Sequence, residues 1–469
     1  MLSPDIFHAF CFAYIFYTTR MPTNTIHLVL DGIRVLSTKN INADDLPPNM
    51  SVKNSLIGDV RKITKGVDPD SKDVVRILSE DQETTVLFEN INGLPAAGNV
   101  YSTRKKISDA LNIKPENIVE HLLSAIDSPI ATNEISKPAF KHSSEKPKLM
   151  SLPIPKYFPE DGGRYITAGV IIAEFEGKKN MSFHRMMIMD DNSIAVRLVP
   201  RHLFTLHNAA KKAGKDLNIS ICVGIPAEAL LAAAVSMDFG ADELKVASSM
   251  FMKGHGKPLD VGRCDNGILV PADTDYVFEG RLTMETAPEG PFVDITGTYD
   301  HVRNEPVIKI DKVWSCKDPI FHLLLPGGYD HFLLMGLPRE PMILKTVRQA
   351  VPRVKNVRLT EGGCCWLNGV VSISKNKEGD GVNAIMAAFT GHPSMKQVIV
   401  VDDDIDIFND REVEWAVATR MQGDRILKIP GAAGSSLDPS IETTTYKVGF
   451  DATIPLNKDR KLFEKARMD

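Results

Sequence analysis

The tightest constraint on the fold sits mid-chain, where "RYITAGVIIAEFEG" (164–177) is followed closely by "NMSFHRMMIMDDNSIAVRLVP" (180–200). The first run is rich in β-branched and small apolar residues and stops at Gly177; the second is interrupted by the polar Asp190-Asp191-Asn192 step. β-branched side chains suit a pleated sheet and Asp, Asn and Gly suit turns, so the two runs predict adjacent strands joined by polar turns. "PVIKIDKVW" (306–314) adds a further strand, and "EALLAAAVSMDFGADELKVASS" (228–249) supplies helical segments whose small apolar residues can pack across the sheet. The middle of the chain therefore reads as a mixed α/β or split-barrel region.

The flanks read differently. "TTVLFENINGLP" (84–95) predicts a strand ending in a turn at Asn92-Gly93, and "RKKISDALNI" (104–113) predicts a helix. The Pro-, Ser- and Lys-rich "SKPAFKHSSEKPKLMSLPIPKYFPEDGG" (136–163) predicts an irregular connector anchored by Tyr157 and Phe158. Near Pro326 the pattern changes again: "VKNVRLT" (354–360), "QVIVVDDDIDIF" (397–408) and "REVEWAVATRM" (411–421) predict a closing α/β region. The expected organisation is a multidomain α/β chain, with an N-terminal α/β domain over 21–125, a middle domain over 126–325 and a C-terminal α/β domain over 326–469. Residues 1–20 are expected to be a dispensable extension. Their apolar stretch is too short to span a membrane and no basic region precedes it, so no stable membrane anchor is expected.

With 469 residues, 43% hydrophobic and 25% charged, the chain suits a soluble globular protein, and a net charge of −5 gives no electrostatic case for nucleic-acid binding. The six cysteines form neither a dense framework nor a CxxC pair, which favours a reducing cytoplasm. Adjacent Cys364 and Cys365 are expected as strand neighbours on opposite faces, one of them buried.

Candidate chemistry gathers at two places. Asn180, His202 and Glu243 offer an amide oxygen, an imidazole and a carboxylate, a mixed donor set for a divalent ion beside a cofactor phosphate. Arg197 and Arg201 are candidate phosphate contacts, with Phe183, His184 and Arg185 on the ring side. The second place is "TAPEGPFVDITGTYD" (286–300), where Glu289 and Asp294 flank a Gly-Pro step. Arg185 can hold a substrate carboxylate and a neighbouring acid together, Glu289 can pair with it, and Asp294 can cycle through a protonated form. Glu285 is the alternative structural acid. Taken singly, each of these residues also suits a turn, a helix cap or a solvated face.

The stretches "PEDGGRYITAG", "NMSFHR", "VPRH", "ADE" and "EGPFVDITG", with "LLMGLPREP", "LTEGGCCWL" and the C-terminal "GSSLDPS", together resemble the UbiD family of prenylated-flavin-dependent decarboxylases over nearly the whole chain from Ile26. The resemblance implies a UbiD-like fold, with a central split-barrel flavin-binding domain between α/β regions. It also implies prenylated FMN, manganese at Asn180, His202 and Glu243, and potassium nearby. Phe183, His184, Arg185, Arg197, Leu198 and Arg201 would enclose the cofactor, and Arg185, Glu289 and Asp294 would be catalytic. The implied activity is non-oxidative decarboxylation of a small unsaturated acid by a homo-oligomer whose cofactor comes from a flavin prenyltransferase. "GGCCWLNGVVSISK", "GDGVNAIMAAF" and "VEWAVATRMQGD" resemble the archaeal branch that turns trans-anhydromevalonate 5-phosphate into isopentenyl phosphate. Decarboxylation of polyprenyl-hydroxybenzoate or another aromatic acid, and flavin storage without catalysis, are the alternatives.

Overall fold

The computed structural model describes residues 51–56 and 59–466, so the expected extension over 1–20 lies outside the described residues. Its centre is a nine-stranded antiparallel sheet. The strand order is Tyr165–Ile166, Met186–Ile188, Ser193–Val196, Arg303–Ser315, Tyr276–Glu289, Leu217–Val223, Val170–Phe175 and Lys178–Phe183, with Ser143–Glu145 added on Arg303–Ser315. The unbroken apolar run over 170–173, at the start of the strand Val170–Phe175, follows from burial on both faces. Ile171 and Ala173 pack with Ile221, Phe278 and Leu206 of the helix His202–Lys212, while Val170 and Ile172 pack with Leu244 and Met250 of the helix Glu243–His255. The two longest strands, Tyr276–Glu289 and Arg303–Ser315, pair through register shifts until Glu289 stands opposite Arg303 at the end of the ladder. This carries a buried acid to the edge where the candidate site forms.

The N-terminal region is a four-stranded sheet ordered Val60–Ile63, Thr85–Ile91, Leu94–Gly98 and Phe321–His322. Asn92 and Gly93 turn its hairpin with φ of 55° and 86°, the positive values these residues tolerate best. The helix Asp73–Glu80 buries Val74, Ile77 and Leu78, one face at helical spacing. Since the fourth strand arrives only after the central sheet is complete, the N-terminal sheet is finished by residues far along the chain.

The C-terminal region is a five-stranded mixed sheet ordered Val354–Leu359, Asn368–Ile373, Gln397–Asp402, Thr445–Ala452 and Ile426–Ala432. Helices Glu340–Ala350, Asp380–Gly391 and Asp410–Arg420 accompany it. The connector over 136–163 is mostly irregular, as its composition predicts, and Tyr157 anchors it: the ring is buried and its hydroxyl shares a 2.9 Å hydrogen bond with Thr167. Cys364 and Cys365 are not strand neighbours. Both adopt left-handed backbone, φ 58° and 46°, and reverse the chain after Glu361–Gly363. The turn lies so close to Gly336 that a Cβ there would stand 2.1 Å from the Cys365 carbonyl oxygen. Cys365 is buried and Cys364 half-buried, with both thiols free. Among the described residues, no helix is long and apolar enough to cross a membrane.

The regions are tied together at the helix Tyr329–Gly336. The buried Asp330 carboxylate accepts hydrogen bonds from the Val100 and Tyr101 amides at 2.9 and 2.7 Å, and the Gln82 side-chain oxygen accepts one from the Tyr329 amide at 2.9 Å. Asp330→Ala leaves two buried amides without their acceptor. Chemical denaturation should show a loss of about 2–4 kcal/mol; a loss under about 0.5 kcal/mol would show that this tie contributes nothing.

Candidate active site

Between the strands Lys178–Phe183 and Met186–Ile188 the chain passes through His184 and Arg185. The Arg185 guanidinium is nearly buried and faces three carboxylates. Nε and Nη2 donate to the two oxygens of Glu289 at 3.0 Å each, Nη1 donates to Asp294 at 3.0 Å, and Nη2 also donates to Asp300 at 2.9 Å. The Phe292 ring lies 5.0 Å from the guanidinium carbon. Glu289 is fully buried and also accepts the Tyr165 hydroxyl proton at 3.0 Å, while the Gly290 amide donates to that hydroxyl at 3.1 Å. Asp294 and Asp300 keep 19% and 17% of their side chains exposed, so they alone of the three acids reach solvent or a ligand.

These environments separate the acids chemically. Burial would raise Asp300, but its hydrogen bond from Arg303 and the charges of Arg185 and Arg303 outweigh that and hold its pKa at about 2. Burial likewise opposes the charge on Arg185, yet the Glu289 bonds and the three surrounding carboxylates push its pKa up. The turn carrying these acids is seated on the "PEDGG" segment: the Gly162 amide donates to the Pro291 carbonyl at 2.8 Å, and a Cβ on Gly162 would stand 2.2 Å from the Gly290 oxygen. On the C-terminal side, an ideal Cβ on Gly327 would lie 3.2 Å from Gly297 and 3.4 Å from the Asp294 carbonyl. His331 accepts from the Gly327 amide through Nδ1 at 3.1 Å, and burial pushes its pKa down.

A second group starts from Asn180, opposite Ala173 in the sheet. Its Nδ2 donates to Ser182 Oγ at 2.8 Å, Ser182 bonds His184 Nε2 at 2.8 Å, and His184 Nδ1 meets the Arg197 carbonyl at 3.1 Å. Burial pushes His184 down to about 4, so it is a neutral wall. The Met181 amide donates to Glu243 at 3.0 Å, and the His202 ring packs edge-on at 5.6 Å against Phe239, on the loop leading into Glu243. Burial pushes Glu243 up to about 7, and no Lys or Arg among the described residues pairs with it. Glu243 is thus a buried carboxylate without a cationic partner, one peptide from Asn180, and oxygen donors of this kind suit a divalent ion; the His202 imidazole is placed only against Phe239, and among the described residues no three His, Cys, Asp or Glu side chains gather as a metal site. Arg197 gives Nη1 to Glu305 at 2.5 Å, Glu305 also accepts from the Leu198 amide at 3.1 Å, and the Arg197 amide bonds the Arg185 carbonyl at 3.2 Å. Phe183 is half-buried against the core, Leu198 is buried, and Arg201 is exposed. Glu285 lies outside, highly exposed and 3.7 Å from Lys309.

The fold thus brings Arg185 into direct contact with Glu289 and Asp294, and links Asn180 with Glu243 through one peptide. Sequence reasoning missed Asp300, Tyr165 and Phe292. Asp300 closes the very stretch that holds Glu289 and Asp294, and its spacing of three from Arg303 was the available signal.

Three family models match in succession: the N-terminal domain of 3-octaprenyl-4-hydroxybenzoate carboxy-lyase (UbiD) at 57–126, its Rift-related domain at 132–329 and its C-terminal domain at 332–452. An anhydromevalonate phosphate decarboxylase of Methanocaldococcus jannaschii is 46% identical over 84% of this chain and 94% of its own; one of Methanothermobacter thermautotrophicus is 42% identical over 85% and 95%. The UbiD-class enzyme HmfF of Pelotomaculum thermopropionicum, solved with FMN, superposes with a TM-score of 0.83 at 35% identity, covering 87% of this chain and 94% of that one. An evolved dimeric form solved with prFMN gives 0.81 at 33%, covering 88% and 96%. The chain belongs to the UbiD family and is a carboxy-lyase with the family's multidomain α/β fold, as its motifs led one to expect.

Arg185→Ala removes the one guanidinium that, among the described residues, is bonded to the fully buried Glu289, so denaturation should show a loss of about 3–5 kcal/mol. Asp300→Asn tests the electrostatics separately. A depressed carboxylate contributes stability that is present above its unfolded pKa and lost as pH falls through the folded value, so the native protein should lose that contribution between about pH 4 and pH 2. The asparagine variant should have a correspondingly flatter acid limb, and identical acid limbs would contradict the ion-pair account.

Proposed function

We propose that the protein decarboxylates trans-anhydromevalonate 5-phosphate to isopentenyl phosphate and carbon dioxide, without net oxidation and with prenylated FMN as cofactor. The observation that carries the reaction is Arg185 held between buried Glu289 and partly exposed Asp294. The substrate rests on relatives named for this activity at 39–46% identity. The cofactor rests on the solved relative containing prFMN. In this reading, residues 21–125, 126–325 and 326–469 are the N-terminal, cofactor-binding and C-terminal domains.

Prenylated FMN, when bound, supplies an electron sink for the charge left as carbon dioxide departs. Asn180, His202 and Glu243 would hold a divalent ion, manganese in the family resemblance and with potassium beside it, against the cofactor phosphate. Phe183, His184 and Leu198 enclose the ring side, with Arg197 and Arg201 toward the phosphate. The three acids around Arg185 divide the remaining work. Glu289 is fixed by two guanidinium bonds and by Tyr165, so it orients Arg185. Asp300 is held anionic by Arg185 and Arg303. Asp294 makes a single bond to Arg185, through Nη1, and remains accessible. Protonation of Asp294 weakens that charge-assisted bond and frees Nη1 for the substrate carboxylate; the same proton then passes to the carbon that lost carbon dioxide. A flavin prenyltransferase provides the cofactor, and the working enzyme is a cytoplasmic homo-oligomer.

Asp294→Asn should keep the fold and the bound cofactor yet lower product formation by about 10²-fold or more. A time course following carbon dioxide and product separately checks this, and normal product formation by cofactor-loaded Asp294→Asn would remove Asp294 from the proton path. A panel of unsaturated and aromatic acids should yield isopentenyl phosphate with equimolar carbon dioxide. Exclusive turnover of aromatic acids would overturn the substrate, and retained cofactor with no carbon dioxide from any acid would indicate storage.

A further inference from the structure

The connector residues Glu160, Asp161 and Gly162 lie against the turn that carries Asp294. The Glu160 amide donates to the Tyr299 hydroxyl at 3.2 Å, and the Gly162 amide donates to the Pro291 carbonyl at 2.8 Å. Asp161 stands between these two attachments and is 3% exposed. Its own turn locks it in place: the Asp161 amide donates to the Phe158 carbonyl at 3.1 Å, and the Phe158 amide donates back to Asp161 Oδ2 at 2.8 Å. Lys156 and Arg185 act on this carboxylate through their charge alone, so backbone amides are its direct partners. A buried carboxylate without a bonded cation is costly, and the amides that meet it carry its stabilisation.

One of those amides comes from the turn itself. Phe292–Val293 pairs antiparallel with Tyr299–Asp300, Phe292 opposite Asp300 and Val293 opposite Tyr299. Past the pair, the Asp294 amide donates to the Thr298 carbonyl at 3.0 Å, and the Gly297 amide donates to the Asp294 carbonyl at 2.9 Å. Amides along an antiparallel strand point alternately to the partner and away from it, so the Val293 amide, one residue before Asp294, turns away from Tyr299. Val293 is 3% exposed, and its amide needs an acceptor within the protein. It faces the Asp161 carboxylate and, with the Phe158 amide, opposes the burial that pushes this acid up to about 6. The consequence for the site is uneven. Glu289 ends the long ladder and holds the Tyr165 hydroxyl, so Arg185 has a seat that does not involve Asp161. Asp294 follows Val293 directly, in a loop otherwise closed by its own backbone bonds, and the reach of its carboxylate to Arg185 Nη1 depends on where Val293 is fixed.

We propose that Asp161 is a positioning residue: it takes the Val293 amide and thereby sets where Asp294 presents its accessible carboxyl group, acting through the backbone alone. The inference rests on the proton-delivering role proposed for Asp294 and adds the residue that aims it. Two measurements on the holoenzyme separate the inference from that role. In hydrogen–deuterium exchange, peptides covering 291–295 should exchange about tenfold faster in Asp161→Ala than in wild type. Asp161→Asn, which offers one acceptor in place of two, should give a smaller increase. In kinetics with anhydromevalonate phosphate, Asp161→Ala should lower kcat about tenfold or more and leave KM within about threefold, because Arg185 keeps its seat on Glu289. In a single turnover, carbon dioxide should then appear ahead of the protonated product, a lag that general loosening of the fold would not produce. Circular dichroism and thermal melting establish that the variants are folded, and Asp161→Asn carries the same tests should the alanine variant fail. Unchanged exchange over 291–295 would overturn the seat. Faster exchange with normal kcat, or a raised KM with normal kcat, would overturn the positioning of Asp294. If cofactor-loaded Asp294→Asn turns over normally, the proton-delivering role fails, while the exchange measurement still decides whether Asp161 holds the turn.

Discussion

One guanidinium shared by three carboxylates sets the terms for the rest of the site. Neither Arg185 nor Glu289 is tolerable alone where it stands, because Glu289 is fully buried and Arg185 nearly so. Two parallel bonds and the Tyr165 hydroxyl make the pair affordable, and they also fix the direction in which the guanidinium points. Satisfying them pulls the 289–300 turn against the exit of the Lys178–Phe183 strand. That approach in turn requires a residue without Cβ at Gly162. The charge pair, the turn and the close backbone contact therefore stand or fall together.

The same logic extends to the surface the C-terminal region presents. Gly327 meets the Asp294 turn, Asp330 grips the amides of Val100 and Tyr101, and Arg339 reaches Ser236. Of these, the Gly327 contact borders the Arg185 site, and all three join elements that are far apart in the chain.

Much of this was legible in the sequence, for reasons that differ by element. The β-branched runs at 170–175 and 306–314 and the Asn92-Gly93 turn obey local propensity, so they read directly as strands and a hairpin. Arg185, Glu289 and Asp294 emerged from the family motifs, because residue type alone leaves a surface turn equally open. Asp300 stayed hidden, since its partner Arg185 lies far away in the chain and meets it only in the fold, while the neighbouring Arg303, three residues on, reads by itself as an ordinary local pair. Cys364 and Cys365 misled because two consecutive left-handed residues are imposed by docking on Gly336, a tertiary contact that no local pattern announces.

The central claim is that this site exchanges a carboxylate for a proton on an unsaturated carbon. Mass spectrometry of the product formed by holoenzyme from anhydromevalonate phosphate in D2O tests it most directly. The account predicts isopentenyl phosphate carrying one deuterium, at the terminal vinyl carbon that bore the carboxylate, with one equivalent of carbon dioxide released. Product without deuterium at that carbon, or consumption of substrate without carbon dioxide, would contradict it.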